Sequence, residues 1–437
     1  MTTLNKISSS SSSLFKKFSD GLLLNLLLKI KGVIYLPIII NYFNKGEVGQ
    51  ISLILSLSSL FLGLFLLNIP DASNRVILND KYKENIVINS VNNFLVLQLF
   101  LFSILYILLM NFFSFYSKLF YLVTLILILS NAFKKISSYV FQIYQNTKLL
   151  LIINVLIEYS SLFLIYIIFK NQFIFSFYFV IYIQVFCIII GSIFLLIKLY
   201  KNIDFKFHID FEIIKKIFRI AIILLPASYS LVIIQSSDFL IIDYFFNSTL
   251  LAEYSFAYSL GSIVLSLSMA ITFFWYSTAV VYNKSELKNI INKIFILLPF
   301  IYILILIFYY LSIEYIVEII NSNYHNSIEI VKILIVGFFL NVINLIFSGV
   351  LYSDKNEKYI LFDTIFFAIL NIILNIIFIP DYGIKIAALT TTISYSGIYI
   401  FRLILLNFLR NDLSSGLYKI SNFLIIIISL IYIYIIY

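Results

Sequence analysis

The chain is predicted to be an all-α integral membrane protein with twelve spanning helices and a possible short thirteenth. Three observations predict this class. Of 437 residues, 62% are hydrophobic and 12% charged, whereas a soluble domain is about 45–50% apolar and about 25% charged. The apolar residues gather in runs of about 20, the length that crosses a hydrocarbon layer of about 30 Å. The basic residues gather between alternate runs, as the positive-inside rule requires of a multi-pass protein.

The chain opens on a polar, basic arm over 1–20, with the serine run Ser8 to Ser13 beside Lys6, Lys16 and Lys17. The first apolar run has no small-residue cleavage site behind it, so it is expected to be a retained span rather than a signal peptide. Spans follow at 21–43, 48–70, 86–113, 118–145, 149–169, 173–199, 217–245, 250–281, 290–312, 328–352, 359–379 and 384–409, with a shorter run at 422–437. The longest polar stretches are 71–85 and 200–216, so no extramembrane domain is expected. With the N-terminus inside, 20 of the 30 Lys and Arg residues fall on the cytoplasmic side and 5 outside. A missed helix would scramble that alternation. The net charge of +9 therefore needs no nucleic-acid partner; the positive-inside rule and attraction to anionic lipid account for most of it.

The span order suggests a duplication. An N-terminal six-helix half (21–200) and a C-terminal six-helix half (217–410) flank a basic cytoplasmic linker (201–216), and a segment over 411–437 holds the possible extra span. The first span carries Leu36-Pro37 and the seventh Leu225-Pro226. Internal repeats are the usual architecture of secondary transporters. Pro37 lacks an N–H and frees the carbonyl of Val33, which favours a bend.

Five cations lie inside the spans: Lys29, Lys31, Lys134, Lys135 and Arg402. At 1.5 Å per residue, Lys29 is about 12 Å and Lys31 about 15 Å from Gly21. A central lysine costs about 3 kcal/mol, so two of them nearly cancel the roughly −6 kcal/mol from the Leu, Ile and Val of the first span. Such groups must face water, an acid or the headgroups. Acids are present within the spans at Glu158, Asp238, Asp243 and Asp363. The expectation is a polar, cationic cavity in the inner half of the membrane, with Glu158, Asp238 and Asp363 as ion-coupling candidates. Structural ion pairing is the competing reading.

Other chemistry is thinly represented. The single cysteine, Cys187, excludes an internal disulfide and a cysteine-built metal site. No P-loop, zinc motif or nucleophile elbow occurs, so no cofactor, metal or catalytic residue is expected. Glu314, Glu318 and His325 are the few charged or titratable groups expected in an outer loop.

Several stretches resemble a known family. "IYLPIIINYFNKGEVGQISL" (34–53) is similar to the first-span signature of polysaccharide biosynthesis, O-antigen (Wzx-type) flippases of the multidrug/oligosaccharidyl-lipid/polysaccharide exporter superfamily. "IPDASNRVI" (69–77), with Arg75, resembles the pattern that closes their second span. Residues 224–260 resemble spans seven and eight, including Pro226, Asp238 and Tyr254. "NIILNIIFIPDYGIKIAALTTTISY" (371–395) resembles the most specific stretch, with Asn371, Asn375, Pro380, Tyr382 and Gly383 in place. It departs at Ile386, where Gly is usual, and at Thr390, where Ala is usual. Independently of the resemblance, Asn371 and Asn375 are i and i+4 and share a helix face, and "PDYG" reads as a turn.

The resemblance implies a MATE-like V-shaped bundle and flipping of an undecaprenyl-diphosphate-linked oligosaccharide to the outer leaflet of the bacterial inner membrane. It implies a polysaccharide polymerase and a chain-length regulator as partners. Lys29, Lys31, Lys134, Lys135, Arg402 and Arg75 would receive the diphosphate. A drug/cation antiporter of the same fold, and a membrane polymerase or glycosyltransferase, are the alternatives.

Overall fold

A computed structural model describes residues 26–28, 30–32, 34–35, 37–80, 84–112, 115–143, 147–171, 176–200, 206–267, 275, 284–410 and 416–436. The described residues of 26–42 are helical. After them come α1 (Lys45–Leu66), α2 (Ile69–Asp80), α3 (Glu84–Phe112), α4 (Lys118–Ile143), α5 (Thr147–Lys170), α6 (Tyr178–Tyr200), α7 (Phe211–Phe245) and α8 (Ser248–Gly261). A short 3₁₀ turn, Ser262–Val264, precedes α9 (Lys284–Asn321), α10 (Ser327–Ser353), α11 (Glu357–Tyr382), α12 (Ile384–Leu409) and α13 (Gly416–Ile436).

Among the described residues, 12 helices are long and apolar enough to cross a membrane. The chain is a multi-pass membrane protein. The C-terminal run is one of the 12, as Tyr418–Ile436, so it is a full-length helix and not a short appendage. The first span lies partly outside the described residues, as does 268–281 of the eighth.

Caps set several helix starts. Asn44 and Glu47 form a reciprocal capping box on α1, Asn44 Oδ1 accepting from the Glu47 N–H at 3.0 Å and Glu47 Oε2 from the Asn44 N–H at 3.1 Å. Asp210 Oδ1 accepts from the N–H groups of Glu212 and Ile213 at the head of α7. Leu67 and Asn68 both take positive φ, 46° and 57°, and so break α1 from α2.

Two compact units emerge from the contacts, Ile38–Ala252 and Met1–Pro37 with Glu253–Tyr437. In the first, α1 packs on α4 and α7, α4 on α6, α5 on α6, and α2 on α7. Gly49 permits close approach there, since a Cβ on it would sit 1.8 Å from the Ser248 carbonyl oxygen. The boundary between the two units falls within α8, after Ala252. In the second unit α10 is the core, with nearly every residue from Ile328 to Leu351 buried. It packs against α9, α11, α12 and α13. Buried tyrosines hold α13 in place: Tyr302 bonds Ser429 at 2.8 Å, and Tyr399 donates to Asn422 Oδ1 at 2.7 Å.

Two local expectations are corrected. "PDYG" is not a turn of four residues; α11 runs through Pro380 to Tyr382, and Gly383 alone makes the break at φ 77°. A proline in the last helical turn deprives only one carbonyl of its partner, so the helix tolerates it. Glu314 and Glu318 lie on α9, not in a loop. Lys332 is buried on α10, where Glu314 accepts from it at 3.0 Å and the Tyr310 ring lies 4.9 Å away.

Candidate functional site

In the Ile38–Ala252 unit, α4 carries Lys134 and Lys135, with Ser130, Asn131, Ser137 and Ser138 on either side. Adjacent helical residues point about 100° apart, so the two ammonium groups reach different neighbours. Lys134 Nζ donates to Glu158 Oε1 of α5 at 3.0 Å. Lys135 Nζ donates to Asp71 Oδ1 of α2 at 3.3 Å. The first pair is mostly enclosed, its side chains 20% and 24% exposed; the second is open, at 40% and 47%. Ser138 donates to the Lys134 carbonyl at 2.6 Å and Ser161 to the Glu158 carbonyl at 2.7 Å, so polar groups thicken around the pairs. One turn before Glu158, the side-chain oxygen of Asn154 is buried without a hydrogen-bond partner. Tyr139, one turn beyond Lys135, is fully buried and donates to Asn92 at 2.9 Å.

Arg402 has a different setting in the other unit. It is 3% exposed and its partner Asp363 is fully buried. Its Nη2 and Nε meet the two carboxylate oxygens at 2.9 and 2.5 Å. Its Nη1 reaches the Asn344 carbonyl at 2.8 Å and Ser348 Oγ at 2.5 Å. This fork-to-fork pair stitches α12 to α11 and α10.

The remaining candidates are dispersed. Lys31 lies over the Tyr35 ring, its Nζ 5.1 Å from the centroid. Lys29, and the side chain of Arg75 on α2, lie outside the described residues. Asp238 is fully buried on α7, beside Ser236, whose carbonyl accepts from Ser56 at 3.0 Å. Asp243 accepts from the Tyr116 hydroxyl and, at 3.0 Å, from Ser248. Tyr116 sits between α3 and α4, and its phenol is pushed above the usual tyrosine range by burial first and by Asp243 second. Pro37 is half-buried, and Pro226 lies inside α7, where Ser230 donates to its carbonyl at 2.6 Å.

Asn371 and Asn375 share a face as expected, and both are fully buried. Asn375 donates to Asn371 at 3.3 Å, and Thr390 donates to Asn375 across the α11–α12 contact. Thr390, the departure from the usual alanine, thus gives the asparagine a partner.

Lys134, Lys135 and Arg402 therefore each have a carboxylate partner, and the positive charge that the sequence places at these three positions is neutralised. Asp71, Asn344 and Ser348 were not among the sequence candidates. Asp71 stands beside Arg75 in "IPDASNRVI", where its place at the start of a helix directly after a span was the available signal.

No protein-family model matches the chain, and no curated protein matches it in sequence. Solved structures do match in fold. An inward-facing multidrug resistance MATE-family transporter of the MOP superfamily aligns over 90% of this chain and 96% of its own, at 13% identity and a TM-score of 0.67. The lipid II flippase MurJ, in an inward closed conformation, aligns over 96% and 98%, at 16% identity and 0.69. An outward-facing MATE-family transporter aligns over 91% and 97%, at 14% identity and 0.55. The chain has the fold that MATE transporters and the flippase MurJ share.

Proposed function

We propose that the chain is a transporter, not an enzyme, and that it flips an undecaprenyl-diphosphate-linked oligosaccharide from the inner to the outer leaflet. The carrying observation is the Lys134–Lys135 dyad, two adjacent cations in an apolar helix held by carboxylates on two different neighbours. A diphosphate offers the acceptor chemistry of those carboxylates, so it exchanges for them without leaving a lysine bare. The more open Lys135–Asp71 pair exchanges first. Once displaced, Glu158 is a carboxylate in a poorly solvated place and takes up a proton or metal cation, which couples the step to an ion gradient. Asp238 is the second coupling candidate. Lys29, Lys31 and Arg75 join the receiving set, whereas Arg402 and Asp363 hold helices together. Alternating access is supported by relatives of one fold solved facing inward and outward. A lipid-linked substrate is supported by the likeness to a lipid II flippase. On this reading the halves 21–200 and 217–410 are the repeats and the N-terminus is cytoplasmic in the bacterial inner membrane. A polymerase and a chain-length regulator act on the product.

The neutralisation of the lysines favours one rival, a drug or cation antiporter, for which Asp71 and Glu158 would be the binding groups. Deleting the gene and extracting the undecaprenyl-linked glycans separates the readings. Single repeat units accumulating on the cytoplasmic leaflet, with loss of surface polymer, are expected. Units that reach the outer leaflet unpolymerised would indicate a polymerase. Unchanged glycans would sink the flippase reading in favour of the antiporter.

A further inference from the structure

The segment 206–219, at the entrance to α7, leaves two large aromatic rings in the open. Phe207 is 85% exposed and Phe211 76%. The segment is held firmly nonetheless. Asn93 of α3 donates to the carbonyls of Lys206 and His208 at 3.0 and 3.1 Å. Ser90 accepts from the Asp210 N–H at 3.1 Å. Two of its polar anchors thus lie on α3, and the phenylalanines remain outside.

Cations surround the rings. Phe211, Lys215, Arg219 and Ile222 fall within about 80° of one another on α7, while Ile213, Ile214, Ile217 and Ala221 are buried on the opposite side. Lys206, Lys215, Lys216 and Arg219 face outward with Phe207 and Phe211. Asp210 and Glu212 are the acids of the stretch, and the Asp210 carboxylate is engaged as the cap of α7.

The level of this surface relative to the bilayer selects its occupant. Asn93 closes the polar start of α3, Asn89, Ser90, Asn92 and Asn93, and the apolar run begins at Phe94. Val96, three residues on, is apolar and 62% exposed; the rise between them is about 4.5 Å. On α7, Ile222 and Ile223 are likewise apolar and 51% and 61% exposed. Arg219 is about 4.5 Å of helix rise before Ile222, less than the thickness of a headgroup layer, about 5–8 Å on each side, so a charge at 219 and an apolar side chain at 222 suit the two sides of that boundary.

We propose that residues 206–219 form a docking surface for anionic lipid headgroups. Phe207 and Phe211 insert among the headgroups, and Lys215 and Arg219, one turn apart, pair with lipid phosphate. The surface is independent of the Lys134–Lys135 site and of what that site transports.

Two measurements on the full-length protein test the proposal. Phe207→Trp and Phe211→Trp are made separately and reconstituted in vesicles of phosphatidylcholine with phosphatidylglycerol, with buried Trp275 as a constant background. Both new fluorophores are expected to be quenched by lipids brominated close to the headgroup and shielded from aqueous iodide. Quenching by iodide without quenching by brominated lipid would put the surface in water and overturn the proposal in favour of a protein partner. In detergent, the phosphatidylglycerol concentration giving half-maximal thermal stabilisation is compared with that of the double variant Lys215→Gln, Arg219→Gln. It is expected to rise about fivefold per charge removed; an unchanged value would also overturn the proposal.

Discussion

Lys134 with Lys135, and Arg402, look alike as sequence: cations set in apolar helices, with acids elsewhere to meet them. Their surroundings differ. The lysine pairs are bridged by single contacts of 3.0 and 3.3 Å and keep part of their surface open. Arg402 is enclosed, two-pronged on Asp363 and bonded to Asn344 and Ser348 as well. An enclosed, fully bonded charge pair holds helices in one arrangement, because removing either partner strands a charge. A half-open pair with one bond per cation is exchangeable, because water or a ligand anion can replace its partner.

Arg402→Ala tests the comparison hardest. It leaves Asp363 buried without a counter-ion and is expected to cost about 3–5 kcal/mol, read as thermal unfolding in detergent and as membrane abundance. Replacing both partners, Arg402→Leu with Asp363→Leu, is expected to recover at least half of that loss, since no charge remains stranded. A double variant as unstable as the single would shift the weight to Asn344 and Ser348. Asn375→Leu, which removes the amide that Thr390 and Asn371 share, is expected to cost about 1–3 kcal/mol in the same assay with export intact in the surviving protein. Lys135→Gln is the smallest in stability, within about 1 kcal/mol, yet it is expected to abolish most glycan export at normal abundance. Normal export by that variant would remove the dyad from the substrate path.

The comparison also shows where sequence reading stops. That Lys134, Lys135 and Arg402 are intramembrane cations is written in the apolar runs around them. That Glu158 and Asp363 exist to meet them was legible too, since a spanning helix rarely carries an acid without use. Which acid meets which cation was not legible, because each partner lies on another helix. Asp71 escaped for that reason, its position looking like the start of a loop. Thr390 stands where alanine is usual, yet across the α11–α12 packing it is a hydrogen-bond donor to Asn375.

Composition and periodicity alone determined that this chain lives in a membrane and that its long apolar runs are helices. Those properties are local: burying about 20 apolar residues in hydrocarbon forces backbone hydrogen bonds to close within each helix. Tertiary structure decided the rest. It made the C-terminal run a packed helix through Tyr302, Ser429, Tyr399 and Asn422. It drew Phe211–Phe245 into the unit of α1 to α6. It assigned an acid to Lys134, Lys135 and Arg402, turning an inferred field of positive charge into discrete ion pairs. Such pairings depend on side chains from helices far apart in sequence meeting within about 3 Å, and no run of residues encodes that distance by itself.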